Sequence, residues 1–527
     1  MVLLTRTIVL AFGFLAGALT CLAQSKPGDI IFQADFQGAG TLRELGVGQN
    51  QNVRIAPGYA GAQSLLIESP AGSSAGATVG MPLPIEKMRG CTLICRAMVK
   101  ADGVTQPPQP WNGVKVMLHV SSPEGDIWPQ QNQVSGTFDW TRVQFKAAIP
   151  ADATAAELIL GLEAVNGRVQ FDDVTITVAH GPRERIATPP AGPVFTGHDE
   201  PRLRGAMISP DITPESLRLL GREWNANLIR WQLVRSGSSA SITKAADYEA
   251  WLEESLRRLD AMLPLCEQYG VRVVLDLHSP FGGTPTVSGY VGSDTGLFAN
   301  KEAQQIFVTD WQRIARRYRD NRAIWGYDLA NEPVEGALAD GCDDWNALAT
   351  RAARAVRAGD TRHAIIVEPE PWGGPDALEN LDPIPVPGVV YSIHMYVPSQ
   401  FTQQGVNGGA MGIAYPGIID GKLWDAAALR RVLQPVRDWQ RDHGVQIYIG
   451  EFSAIRWAPD NSAYRYLRDC IDIFEEFGWD WSYHAFREWN GWSVEHGSDK
   501  EDAAPARTPT DREKLLRQWY AKNVKAN

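Results

Sequence analysis

The chain has 527 residues, enough for two or three domains, and 44% of them are hydrophobic, the usual level for large buried cores. Its formal net charge of −11 lacks the basic footprint that a nucleic-acid partner requires, so nucleic acid is excluded as a ligand. Eighteen tryptophans are many for this length, and indole faces stack on flat apolar ligands as well as in cores.

Residues 1–23 open with one arginine, run apolar from Ile8 to Leu19 and end in the small-residue pattern Cys21-x-Ala23. That is the pattern of a secretory signal peptide, with cleavage expected after Ala23 and a secreted or periplasmic location for the mature chain. The apolar run is too short to span a bilayer, and no later stretch is long and apolar enough, so no membrane span is expected. Five cysteines remain: Cys91, Cys95, Cys266, Cys342 and Cys470. Cys91 and Cys95 share one face of a predicted strand about 13 Å apart, too far to bridge. The spacings fit no zinc pattern, so neither a disulfide framework nor a metal is expected.

Residues 24–180 read as all-β. Short alternating runs such as "NGVKVMLHVS", "WTRVQFKAAI" and "GRVQFDDVTITV" are broken by Gly, Pro, Asp and Ser, which predicts a β-sandwich. Residues 181–200 are rich in Pro and Gly without periodicity and are expected to form a linker. From residue 201 to 527 the pattern changes to apolar strands alternating with amphipathic helices. The strands are "RGAMIS", "ANLIRWQL", "RVVLDLHS", "IWGYDLANEP", "HAIIVEPEP", "VVYSIHMYV", "QIYIGEFSA" and "WDWSYHAFREW". Helices are expected near 214–223, 245–268, 299–319, 343–358, 424–442, 461–476 and 510–523, with only a turn or two between strands five and six. Eight strands with crossovers predict a (β/α)8 barrel. A doubly wound open sheet is the alternative, but no Gly-rich phosphate fingerprint follows the first strand. The fold class is therefore α/β: a TIM barrel preceded by an all-β jelly-roll sandwich.

In such a barrel the reactive groups stand at the C-terminal ends of the strands. These ends are polar here: Arg230 on strand two, His278 on strand three, Asn331 and Glu332 on strand four, and Glu368, Glu370 and Trp372 after strand five. His394 and Tyr396 follow strand six, Glu451 lies on strand seven, and His484, Arg487 and Trp489 end strand eight. Pro333 ends strand pairing and turns the chain outward. Two carboxyls facing each other across the barrel mouth suit glycosidic-bond chemistry, in which one donates a proton to the leaving oxygen and the other attacks the anomeric carbon. An aldolase or isomerase would need a Schiff-base lysine or metal ligands at the strand ends, and no lysine stands at any of them.

"LANEP" and "IGEFS", with "NLIRWQL", "DLHSPFGG" and "IHMYVP" in the same order along the chain, resemble glycoside hydrolase family 5 over roughly residues 201–527. The resemblance implies a retaining mechanism with Glu332 as acid/base and Glu451 as nucleophile, and no cofactor. It implies that Asn331 holds the sugar 2-hydroxyl, that His394 and Tyr396 orient substrate and nucleophile, that Arg230 supports the nucleophile and that His278 lines the −1 subsite. The family's strand-eight tryptophan, which floors that subsite, is assigned to Trp489 at the strand exit, with Trp481 in the core. Glu368, Glu370 and Trp372 are expected at the rim, and His484 in either the subsite or the core. The sandwich resembles jelly-roll carbohydrate-binding modules, with Trp140 in its core and Trp111 and Trp128 in loops that could stack on sugar. The expected partner is a β-linked polysaccharide or oligosaccharide. A non-catalytic carbohydrate-binding protein on the same barrel is the alternative.

Overall fold

In the computed structural model, residues 25–525 are described apart from 39, 47–49, 60, 74–75, 110, 132–134, 183–187, 189, 287–288, 294 and 407. The expected signal, residues 1–23, lies outside the described residues.

The N-terminal part is two antiparallel sheets packed face to face. One runs Val53–Ala56, Ser64–Ser69, Gly167–His180, Thr92–Val104 and Gly136–Ala148, with Ile30–Ala34 paired on Gly167–His180; the other runs Gly76–Pro82, Ala155–Glu163 and Gly113–Ser121. Strict alternation builds the core between them. In Gly76–Pro82, Ala77, Val79 and Met81 point inward while their neighbours face out, as a half-buried strand requires. Leu65, Ile67, Leu93, Cys95, Leu158, Leu160, Phe171 and Ile176 fill the gap. All five cysteines named above are free thiols.

The C-terminal part is a closed barrel of eight parallel strands: Arg204–Ile208, Leu228–Gln232, Arg272–Asp276, Ile324–Asp328, Ala364–Val367, Val389–Met395, Ile447–Phe452 and Asp480–Phe486. Buried on both faces, they read as continuous apolar runs rather than alternating ones. The helices between them are amphipathic. Ser462–Phe477 turns Ala463, Tyr466, Leu467, Cys470, Ile471, Phe474 and Phe477 inward, the spacing of one helical stripe. Asn300, Asp344, Asp425 and Thr510 cap helix starts by accepting from backbone N–H groups, and Gly270, Gly444 and Gly478 end helices in the left-handed conformation. Between the fifth and sixth strands the chain makes only the short helix Pro375–Asn380. No helix among the described residues is long and apolar enough to cross a membrane.

Two features join the parts. The stretch expected to be a linker ends as the floor of the barrel: Trp325 donates its indole N–H to the Thr196 carbonyl (2.9 Å), and His198 reaches Asp480 (3.1 Å). Above, the sandwich grips the loops that follow barrel strands four and five. Lys146 places its ammonium 2.8 Å from Glu335 and 3.8 Å from Glu370, both buried, while Arg142 meets Asp340 (2.7 Å) and Thr92 meets Asn380 (3.3 Å).

Glu370 is the weak member of this cluster. Burial and the neighbouring Glu335 push its carboxyl up to about 7, despite Lys146. A carboxyl whose proton affinity rises on folding favours the folded state most below its unfolded pKa, and that advantage is lost as the pH climbs through the folded value. We therefore expect stability to fall between about pH 4.5 and 7 through this group. Glu370→Gln, neutral throughout, should flatten that slope; thermal unfolding of both proteins across the window measures it, and parallel curves would contradict it.

Candidate active site

The barrel mouth is organised by one guanidinium. Arg230, from the second strand, is fully buried and donates to Glu451 Oε1 (2.6 Å), Asp328 Oδ2 (3.0 Å), Asn331 Oδ1 (3.1 Å) and Glu368 Oε1 (2.9 Å), with Asp276 Oδ1 at 3.3 Å. A planar fork with five donors is the side chain that can serve so many acceptors at once. Its partners come from the ends of strands three, four, five and seven, so it fixes their register at the mouth.

Glu332 follows the fourth strand in a left-handed backbone conformation (φ 44°), which turns its side chain across the mouth. Its N–H donates to Glu368 Oε2 (2.9 Å). His394 meets Glu332 Oε1 with Nδ1 (2.8 Å) and Glu368 Oε1 with Nε2 (3.1 Å), and its Nδ1 lies 3.7 Å from Glu451 Oε2. Burial disfavours charge on this imidazole, but Glu368 and Glu451 outweigh it and push its pKa well above the ordinary histidine value. Tyr396 donates its hydroxyl proton to Glu451 Oε2 (2.8 Å). Behind them His278 is held by Asp276 (2.8 Å) and packs edge-on to Tyr290.

The two glutamates differ in surroundings. The side chain of Glu332 is 27% exposed, that of Glu451 only 5%. Burial alone would raise the pKa of Glu451, yet the charges of His394, His484, Arg230 and His278 prevail and hold it well below the usual carboxylate range. One oxygen of each glutamate and one ring nitrogen of His394 lie within 4.8 Å of one another. Such a triad has the donor atoms for a cation, but a guanidinium already occupies Glu451 and His394 is drawn toward its protonated form. The arrangement suits carboxylate chemistry on a neutral substrate.

Residues 197–488, more than half the chain, match the family model for cellulase (glycosyl hydrolase family 5). The chain belongs to glycoside hydrolase family 5. It is 28% identical over 263 residues to endoglucanase C of Acetivibrio thermocellus, covering 44% of this chain and 73% of that protein. It is 25% identical over 234 residues to cellodextrinase A of Ruminococcus flavefaciens, covering 43% and 66%. Among solved structures, one described as a glycoside hydrolase aligns with a TM-score of 0.50 and 23% identity, over 61% of this chain and 100% of that one, a likeness of fold. The activity is therefore that of a glycoside hydrolase. The sandwich lies outside the family match.

Within this hydrolase, Arg230, Asn331, Glu332, His394, Tyr396 and Glu451 form one hydrogen-bonded cluster, with His278 at its edge. Trp489 stands apart from it. That ring is 43% exposed and packs against Trp457 and Trp492; Trp492 is the indole that lies on Tyr396 (5.9 Å) and His484 (5.7 Å). Trp481 is fully buried against Phe452 and Tyr520. Glu368 is not a rim residue: it is wholly buried and bridges Arg230, His394 and the Glu332 backbone. Gly373 makes room for it, since a Cβ there would sit 2.7 Å from Glu368 Oε2. Asp276 and Asp328 were not singled out from the sequence. Their signal was a carboxylate inside an otherwise apolar strand, which must find a cation to be buried at all. Trp372 does stand at the rim, 63% exposed, its N–H on the Pro333 carbonyl (3.2 Å).

Proposed function

We propose that this chain is a secreted retaining β-glycosidase that cleaves a β-linked glucan, mannan or shorter glycoside by double displacement. The observation that carries the reading is the convergence of Glu332 and Glu451 on His394, with oxygens within 4.8 Å. Retaining enzymes hold their carboxyls about 5–5.5 Å apart, whereas inverting ones leave about 6.5–9.5 Å for a water.

In the first step Glu332, the more exposed carboxyl, gives its proton to the glycosidic oxygen as the bond to the anomeric carbon breaks. Glu451, kept ionised by Arg230 and oriented by Tyr396, attacks that carbon to form an ester. In the second step Glu332 takes a proton from water, which displaces Glu451. Asn331 has its amide oxygen committed to Arg230, so its amino group is what remains to meet the sugar 2-hydroxyl. The anomer of the first-formed product, read by NMR, tests the mechanism: the β form is expected, and α product at early times would overturn it.

Glu332→Ala gives the acid role its own signature. The first step, read as kcat/KM, should slow about 10²–10⁴-fold for a sugar leaving group and much less for dinitrophenolate, which departs without protonation. An equal loss with both would count against the assignment. For the sandwich, the support for a carbohydrate-binding role is the two indoles Trp111 and Trp128, 57% and 49% exposed. Retention on insoluble glucan by the Trp111→Ala and Trp128→Ala variants tests it; unchanged retention would remove these rings from any sugar face.

A further inference from the structure

We propose that His484, on the eighth strand, is a further catalytic residue: a partly buried imidazolium that touches Glu451 and keeps it an anion. The proposal rests on the reading of Glu451 as nucleophile.

The contacts of the ring favour a proton on both nitrogens. His484 Nδ1 is hydrogen-bonded to the Tyr396 hydroxyl oxygen and lies 3.3 Å from Glu451 Oε2. Its Nε2 lies 3.3 Å from Glu488 Oε2. The hydroxyl of Tyr396 has one hydrogen, and Glu451 receives it at 2.8 Å. The contact between Tyr396 and His484 must then be filled by a hydrogen on Nδ1, directed at a lone pair of the phenol oxygen. At the far side Nε2 faces Glu488 Oε2 at ion-pair distance, outside hydrogen-bond geometry, and a carboxylate there favours a hydrogen on Nε2 as well. A ring with hydrogen on both nitrogens is a cation.

The titratable groups that face this ring are two carboxylates, a phenol and one opposing cation. Glu451 comes from the seventh strand, Tyr396 from the end of the sixth and Glu488 from the loop after the eighth; His394 opposes as a second cation. Burial lowers the proton affinity of His484, but Glu451 and Glu488 more than restore it. Trp492 packs against the ring at a tilt of 32°. Glu488 has its own part. When Glu451 becomes an ester its charge is gone, and without Glu488 the imidazolium would face only His394 and a phenol. With Glu488 the cation persists through the ester and is in place when Glu451 leaves again as a carboxylate.

The test uses 2,4-dinitrophenyl 2-deoxy-2-fluoro-β-cellobioside on the full chain. Its leaving group needs no protonation, so the labelling rate reads the ionisation of Glu451 and not that of Glu332. His484→Asn keeps an N–H for Tyr396 but loses the charge, so the acid limb of labelling should move up by about one pH unit. A limb that overlays the wild type overturns the proposal. Should that variant fail to fold, 15N-histidine NMR of the wild type decides, with the ring identified by its perturbation in Glu488→Gln. Both nitrogens are expected protonated at pH 7, and a neutral ring overturns the proposal. If the probe labels the wild type nowhere near Glu451 at any pH, the nucleophile reading and this one fall together; labelling with an unmoved limb sinks this one alone.

Discussion

Glu451→Ala should abolish turnover, by about five orders of magnitude, the scale seen when a nucleophile that works in concert with its neighbours is removed. The fold should survive. Arg230 keeps Asp276, Asp328 and Glu368 as partners after the substitution, so no buried cation is stranded. Two measurements separate this from a generic active-site defect. First, the loss should be as severe for an activated aryl glycoside as for an oligosaccharide, because both need the same attack; Glu332→Ala differs on this point. Second, the truncated side chain leaves space where the carboxylate stood. Azide should enter it, attack the anomeric carbon and yield the α-glycosyl azide. With Glu332→Ala, azide attacks the ester instead and yields the β product. Retained activity within tenfold of wild type, or β-azide from Glu451→Ala, would refute the role.

How much of this was written in the sequence follows from what each feature depends on. The barrel was legible because its strands are buried on both faces and its helices on one, and both periods are local. The two glutamates were legible because each ends an apolar run, at "LANEP" and "IGEFS". Arg230, His394 and Tyr396 came with them, since polar residues at successive strand ends must meet at one mouth. Glu368 was placed at the rim for the opposite reason. Prolines flank Glu370 in "VEPEP", a loop-like run, and only the closed barrel shows that its first glutamate turns inward to Arg230 and His394. Asp276 and Asp328 sit mid-pattern, where a carboxylate has no sense until its cation, one strand away for Asp276 and two for Asp328, is known. Distance along the strand points to Trp489, and it does not reveal that the chain also brings Trp492 against Tyr396 and His484. Nor could spacing reveal that residues 196–203 close the barrel floor, or that Lys146 in the sandwich reaches a loop almost 190 residues later.

Arg230→Met should be the most destabilising single change at the mouth. The side chain is apolar and nearly as long, so the lost quantity is charge rather than volume. Asp276, Asp328 and Glu368 are fully buried, and each meets the guanidinium within 3.3 Å. Removing one partner of a buried ion pair costs about 3–5 kcal/mol, because the remaining charge is left unpaired. Here several share one cation, so the cost should reach at least that range. Its pH dependence has a definite sign. Burial raises Asp328 well above the ordinary carboxylate range even with Arg230 beside it, and Glu368 and Asp276 raise it further. Without the guanidinium Asp328 must take up a proton on folding, so the folded state gains protons relative to the unfolded one and loses stability as the pH rises. The melting temperature of Arg230→Met should therefore drop steeply from pH 5 to pH 8, more steeply than that of the wild type. Arg230→Lys restores the charge but offers three donors from a single point, too few to span acceptors on four strands. It should fold, recover much of the stability and still lose about 10²–10³-fold in kcat/KM, as expected when a preorganised donor is misplaced. If Arg230→Met melts within a degree or two of wild type at pH 8, the carboxylates do not depend on this cation, and the account of how Glu451 stays ionised fails with it.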